Sequence, residues 1–129
     1  MYDEFYTYDK KIKQKKEALD ELRTLVTSMT SKLGERVQTS PEDKLSNIMC
    51  KIIMIENELD LLEEDVKKQK DLAYAEIQKL DNKEWQDIVY LHYVELEPIT
   101  EIARKKGKTA GSIYMKNNRA VKRLKKLLT

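Results

Sequence analysis

Apolar side chains recur along the first part of the chain at alternating steps of three and four: Phe5, Tyr8, Ile12, Leu19, Leu22, Val26, Met29 and Leu33, with Lys15 filling the one polar step. Such spacing puts the side chains on one seam of a helix, predicted here over about residues 3–32. Gly34 stands where a left-handed C-terminal cap is wanted. A second start signal follows. Ser40 can accept from first-turn amides, Pro41 suits the first helical position, and Glu42 and Asp43 favour the positive helix end. The second seam is Leu45, Ile48, Ile52, Ile55, Leu59, Leu62 and Val66; it weakens at Gln69 before Ala73, and Ile77 and Leu80 fall out of register. A helix from 41 to about 79 is expected, with a bend near 69–73.

The link over 34–40 is short, and short links make antiparallel neighbours. Folding there sets Leu33 opposite Leu45, Leu22 opposite Ile55, Leu19 opposite Leu59 and Phe5 opposite Ala73 in one continuous register. Lys15 then faces Leu62, its stem on the seam and its ammonium in water. Ile53, Met54 and Leu61 fall on the far side of the second helix. Left bare they form an apolar patch on a thin rod, which predicts an oligomerisation face pairing two hairpins into a homodimer. Packing of the patch against the rest of the same chain is the alternative.

From Leu80 the pattern changes. Asp81-Asn82 can cap a helix over 83–94 carrying Trp85, Ile88, Val89 and Leu91. Pro98 opens a second short helix, Gly107-Lys108-Thr109 makes a turn, and Thr109 caps a third helix to about 128. Its expected inner face holds Ile113, Ala120, Val121, Leu124 and Leu127. The predicted fold is all-α: an N-terminal antiparallel helical hairpin (coiled coil) over 1–79 and a C-terminal three-helix helix-turn-helix domain over 80–129. Ala103 lies four residues before Gly107 and Ile113 six after it, which is helix-turn-helix spacing. A small residue at 103 allows a close crossing, Gly107 the tight turn, and Ile113 plugs the angle between the helices.

Composition sharpens this picture. With 3 Gly and 2 Pro in 129 residues, the turns of a many-stranded β fold are missing. The formal net charge of +2 conceals an asymmetry: ten of the 25 basic residues and none of the 23 acidic ones lie in 102–129. A basic end behind an acidic body predicts a polyanion partner, most often nucleic acid; a solvated basic hairpin face is the bland alternative. One His, one Cys and 3 Gly cannot build a Cys/His zinc site or a Gly-rich phosphate loop, so no enzyme, no cofactor and no metal are expected. Glu63-Glu64-Asp65 reads as a solvated helix face. No apolar run is long enough for a membrane span, and the first residues are unlike a signal peptide. The single Cys50, read as a bystander thiol, fits a reducing cytoplasm. His92 is expected to be partly buried or phosphate-facing, and Tyr2, Phe5, Tyr6 and Tyr8 to staple the hairpin's open end or dock a partner.

Leu80 followed by IVYLHY (88–93), ITEIARKKGKTAGSIY (99–114) and RAVKRLKKL (119–127) resembles region 4 of bacterial sigma factors, and most of all the small phage and prophage regulators that carry such a domain behind a coiled coil. The resemblance covers about residues 80–128. It implies that the start of the last helix enters the major groove of duplex DNA, with Thr109, Ala110, Gly111, Tyr114 and Met115 there and Asn118 one turn on. Family members carry charged or amide side chains at the positions of Ala110, Gly111 and Met115, and an apolar one at Lys116. Ala and Met reach only thymine methyls and shape, so the family's promoter preference does not carry over.

Thr109, Ala110, Tyr114, Met115 and Asn118 are thus the base-contacting candidates, Tyr114 and Asn118 the best of them for base edges. Lys108, Ser112, Lys116, Arg119, Lys122 and Arg123 are the phosphate-contacting ones. The expected function is a DNA-binding transcriptional regulator, phage- or prophage-encoded and acting in the host bacterium's cytoplasm as a homodimer on two half-sites. RNA polymerase is a further partner that the resemblance implies. Two other readings stay open: a DNA-packaging protein of the small-terminase type, and a non-catalytic coiled-coil adaptor whose basic tail binds an acidic protein.

Overall fold

The computed structural model describes residues 1–32 and 41–129, and every regular element in them is helical. Helix α1 is Asp3–Lys32, α2 Pro41–Ile77, α3 Lys83–Val89, α4 Ile99–Lys106 and α5 Ala110–Leu128. A π-helical turn, Tyr90–Val94, continues α3. Leu33, Gly34 and Ser40, given a seam position and two capping roles above, lie outside the described residues.

The chain divides into two compact units. One is Tyr8–Asp65; the other joins Met1–Thr7 to Val66–Thr129. The boundary drawn at 79/80 from the change of pattern therefore falls inside the second unit. The physical reason is burial: Ile77 and Leu80 break the seam's register, yet both are buried within that unit.

In the first unit the seam decides burial. From Tyr8 to Met29 and from Leu45 to Leu62 every seam side chain is buried or half-buried. Every other residue from Asp43 to Asp65 is exposed. Leu19, Ile52 and Leu59 form the buried centre, with Ile12, Leu22, Val26, Ile48 and Ile55 packed around it. Two cross-helix ion pairs, Lys15–Glu58 at 2.6 Å and Arg23–Glu56 at 3.4 Å, run up one helix and down the other. Lys15 keeps its stem on the seam as expected, but its ammonium meets Glu58 rather than water alone.

In the second unit, α3 and α4 both pack on α5. Their shared core is Ile88, Ile102, Ala103 and Ile113, flanked by Leu91 and Ile99. Asn82 caps α3 with its side-chain oxygen, accepting from the amides of Glu84 at 2.9 Å and Trp85 at 3.2 Å. After the π-helical turn the chain passes Leu96, a non-glycine residue at φ +58°, and enters α4 behind Pro98. At the N-terminal end, Phe5 is buried and Tyr2 donates to a carboxylate oxygen of Glu76 at 2.8 Å. Burial and then that carboxylate raise the Tyr2 phenol above its ordinary pKa. Tyr6, from the same aromatic cluster, is exposed.

Truncating a fully buried member of this core removes contacts that the packed neighbours cannot restore. Ile88→Ala is expected to lower unfolding free energy by about 2–5 kcal/mol. Leu72→Ala, at an exposed position, should stay within about 0.5 kcal/mol of the parent. Urea denaturation of the two variants checks the contrast; equal losses would contradict the core assignment.

Candidate nucleic-acid interface

The joint between α4 and α5 is set by three local features. Gly107 sits at φ +63°, in the left-handed region that glycine occupies without strain. It lets the last carbonyls of α4 be capped: the Gly107 amide bonds Arg104 O at 3.3 Å and the Lys108 amide bonds Ala103 O at 2.9 Å. Thr109 then caps α5, its Oγ1 accepting from the Ser112 amide at 3.2 Å. No atom lies within 4 Å of a Cβ built at Gly107, so the backbone angle rather than crowding demands glycine.

Ile113 is fully buried between α3 and α4, and that fixes the rotation of α5. Its inner face is Ile113, Asn117, Ala120 and Leu124. Val121 and Leu127, expected inside, are half-buried at its margin. Asn117 was not foreseen: it stands at the buried step between Ile113 and Ala120 and donates through Nδ2 to the Tyr93 hydroxyl at 3.1 Å. The polar side chain hid it from a search for apolar steps, although the helical spacing marks the position.

The opposite face of α5 carries the candidates. Ala110, Gly111, Tyr114, Met115, Asn118, Arg119, Lys122 and Arg123 are all exposed. Thr109 is exposed too, while serving as the cap, and Ser112 is half-buried with its amide in the cap bond. Lys125 and Lys126 extend the exposed basic stripe beyond the predicted set.

The basic residues fall into two classes. Arg104 pairs with Glu101, Lys105 with Glu97, and Lys106 with Asp87 at 3.4 Å. Lys108 and Lys116, both phosphate candidates, converge on one oxygen of Glu84 at 2.7 and 2.8 Å. Among the described residues, Arg119, Lys122, Arg123, Lys125 and Lys126 have no acidic partner. Hydrogen bonds from Lys108 and Lys116 lower the Glu84 pKa to about 2, and Glu84 in turn raises that of Lys108. Glu84 was missed because its partners stand 24 and 32 residues away, with no periodic relation to it.

His92 is half-buried and lies edge-on to Tyr93. Its Nδ1 is 2.8 Å from Glu97 O; a carbonyl only accepts, so this nitrogen donates. Cys50 is exposed. Among the described residues no group of three or more His, Cys, Asp or Glu is placed to hold a metal ion. Among them, too, no helix is long and apolar enough to cross a membrane.

No protein-family model matches the chain, and comparison with curated proteins and with solved structures gives no match.

The Glu84 pairs make stability depend on pH in a stated direction. A carboxyl held below its ordinary value of 4.5 stabilises the fold above that value; the contribution fades as pH falls from about 4.5 to about 2. Glu84→Gln should therefore differ from the parent above pH 4.5 and converge with it toward pH 2. Chemical denaturation across that window checks it; a difference that persists unchanged at the acid end would contradict the pairing.

Proposed function

We propose that the chain is a non-enzymatic, DNA-binding transcriptional regulator of the small phage type, acting in a bacterial cytoplasm, and that α5 is the helix it lays in the major groove. The observation that carries this reading is the α5 stripe: Tyr114, Met115 and Asn118 exposed on the same helix as five cations without acidic partners, directly after a glycine-based turn. Unpaired lysines and arginines neutralise phosphates and release counterions, which gives affinity without sequence preference. Asn118 supplies an amide suited to adenine, Tyr114 a hydroxyl and ring, and Ala110 and Met115 apolar contact for thymine methyls. The sigma region 4 resemblance supports the same helix as the reading element and adds RNA polymerase as a partner to test. Arg119, Lys122 and Arg123 are the main phosphate contacts in this proposal, and Ser112 contributes from the helix edge.

A second copy of the chain completes the reading. Ile53, Met54 and Leu61 are 54, 61 and 65% exposed. Leu61 lines an open groove of about 680 Å³ whose floor includes Ala18, Ile55 and Leu62. Lys11 and Lys15 line it from α1, Glu58 and Asp65 from α2. A two-fold axis running along the groove sets Lys11 of one copy against Asp65 of the other, Lys15 and Glu58 being paired already within each copy, so the face is complementary to itself. A dimer then offers two α5 helices to a two-fold DNA site.

Arg119→Ala with Lys122→Ala should weaken binding to every duplex alike and reduce the slope of log K against log salt by about two. Asn118→Ala should instead narrow the gap between a preferred and a random duplex. Fluorescence anisotropy on both duplexes checks this, and identical losses for the two classes would contradict the division of roles. For the pairing face, Ile53→Asp with Leu61→Asp should halve the mass found by light scattering. An unchanged mass would reject it, and a ring of many subunits in the parent would favour a packaging protein.

A further inference from the structure

Glu84 is the one acidic side chain, among the described residues, that receives two cations from the α4–α5 region. Lys108 comes from the turn and Lys116 from the second turn of α5, so the carboxylate lies beside the end of α5 that carries Ala110, Tyr114 and Met115. Both ammonium groups meet the same oxygen, at 2.7 and 2.8 Å. Two lysines held this way present one net positive charge instead of two. They also lose part of their hydrogen-bonding capacity to a group inside the protein. The unpaired cations begin only at Arg119, in the later turns of the helix.

Resting on the duplex-binding reading above, we propose that Glu84 is an acidic counterweight that occupies the phosphate seat formed by Lys108 and Lys116 and thereby holds down sequence-blind binding. Backbone attraction depends on cation count and falls steeply with salt, whereas base contacts do not. Cancelling one charge and engaging both ammonium groups at the reading end leaves the later stripe to hold the duplex loosely. Lys108 and Lys116 change partners from carboxylate to phosphate only where the duplex comes close enough to compete. Glu84, about one-third exposed in its side chain, loses little hydration in the resting pair and regains water when released. Glu101 and Asp87 act differently: each pairs with a single cation of α4, off the exposed stripe of α5.

The test uses the full chain and a random-sequence duplex, so no operator is needed. Glu84→Gln should bind that duplex about tenfold more tightly at low salt, with a slope of log K against log salt steeper by about two. The advantage should vanish over a roughly fourfold rise in salt. Lys108→Ala with Lys116→Ala should abolish the gain in the Glu84→Gln background. Circular dichroism confirms that each variant is helical. Unchanged or weaker binding by Glu84→Gln, with the parent still binding, overturns the counterweight alone. A parent and a Glu84→Gln variant that both leave the duplex free at low salt overturn the duplex reading and this inference together.

Discussion

Burial of Ile113 between α3 and α4 is the contact on which the rest of the second unit depends. Ile88, Ile102 and Ala103 surround it, and none of the four leaves appreciable surface to solvent. Once Ile113 points inward, the helical repeat sends Asn117, Ala120 and Leu124 inward with it. The same repeat sends Tyr114, Met115, Asn118 and Arg119 outward. The composition of the exposed stripe is thus a consequence of one apolar anchor and the 3.6-residue period. Gly107 makes the anchor reachable, because a left-handed residue there lets α5 begin after only three intervening residues.

Charge is arranged around that core rather than spread along the sequence. The acidic residues that meet the basic segment come from the start and middle of α3, from the loop before α4, and from α4 itself. Each ion pair lies near the surface and adds little to stability. Together they sort ten cations that look equivalent in the sequence into paired and unpaired groups. The unpaired group lies entirely on α5, and that bias, rather than the total charge, supports assigning the proposed duplex contacts to this helix.

Much of this was legible in the sequence because the physics involved is local or periodic. The seam from Phe5 to Met29 and from Leu45 to Ala73 predicted burial residue by residue. Asn82 and Thr109 were readable as caps, and Gly107 as the turn residue, from chemistry within three or four residues. What escaped was non-local or chemically disguised. Ile77 and Leu80 are buried off the seam's register, inside the unit that resumes at Val66, and the seam does not report their burial. Asn117 occupies a core step with a polar side chain, satisfied in part by Tyr93. The two lysines on Glu84 depend on α3 and α5 meeting, which no spacing along the chain reports.

Backbone amide chemical shifts of the full chain, followed while a short duplex is titrated in, test the central proposal most directly. The account predicts changes concentrated from Lys108 to Lys126, largest at Tyr114, Asn118 and Arg119, with Ile113 and Leu124 moving little. Shifts confined to residues between Tyr8 and Asp65, or no shifts in α5 at saturating duplex, would contradict it.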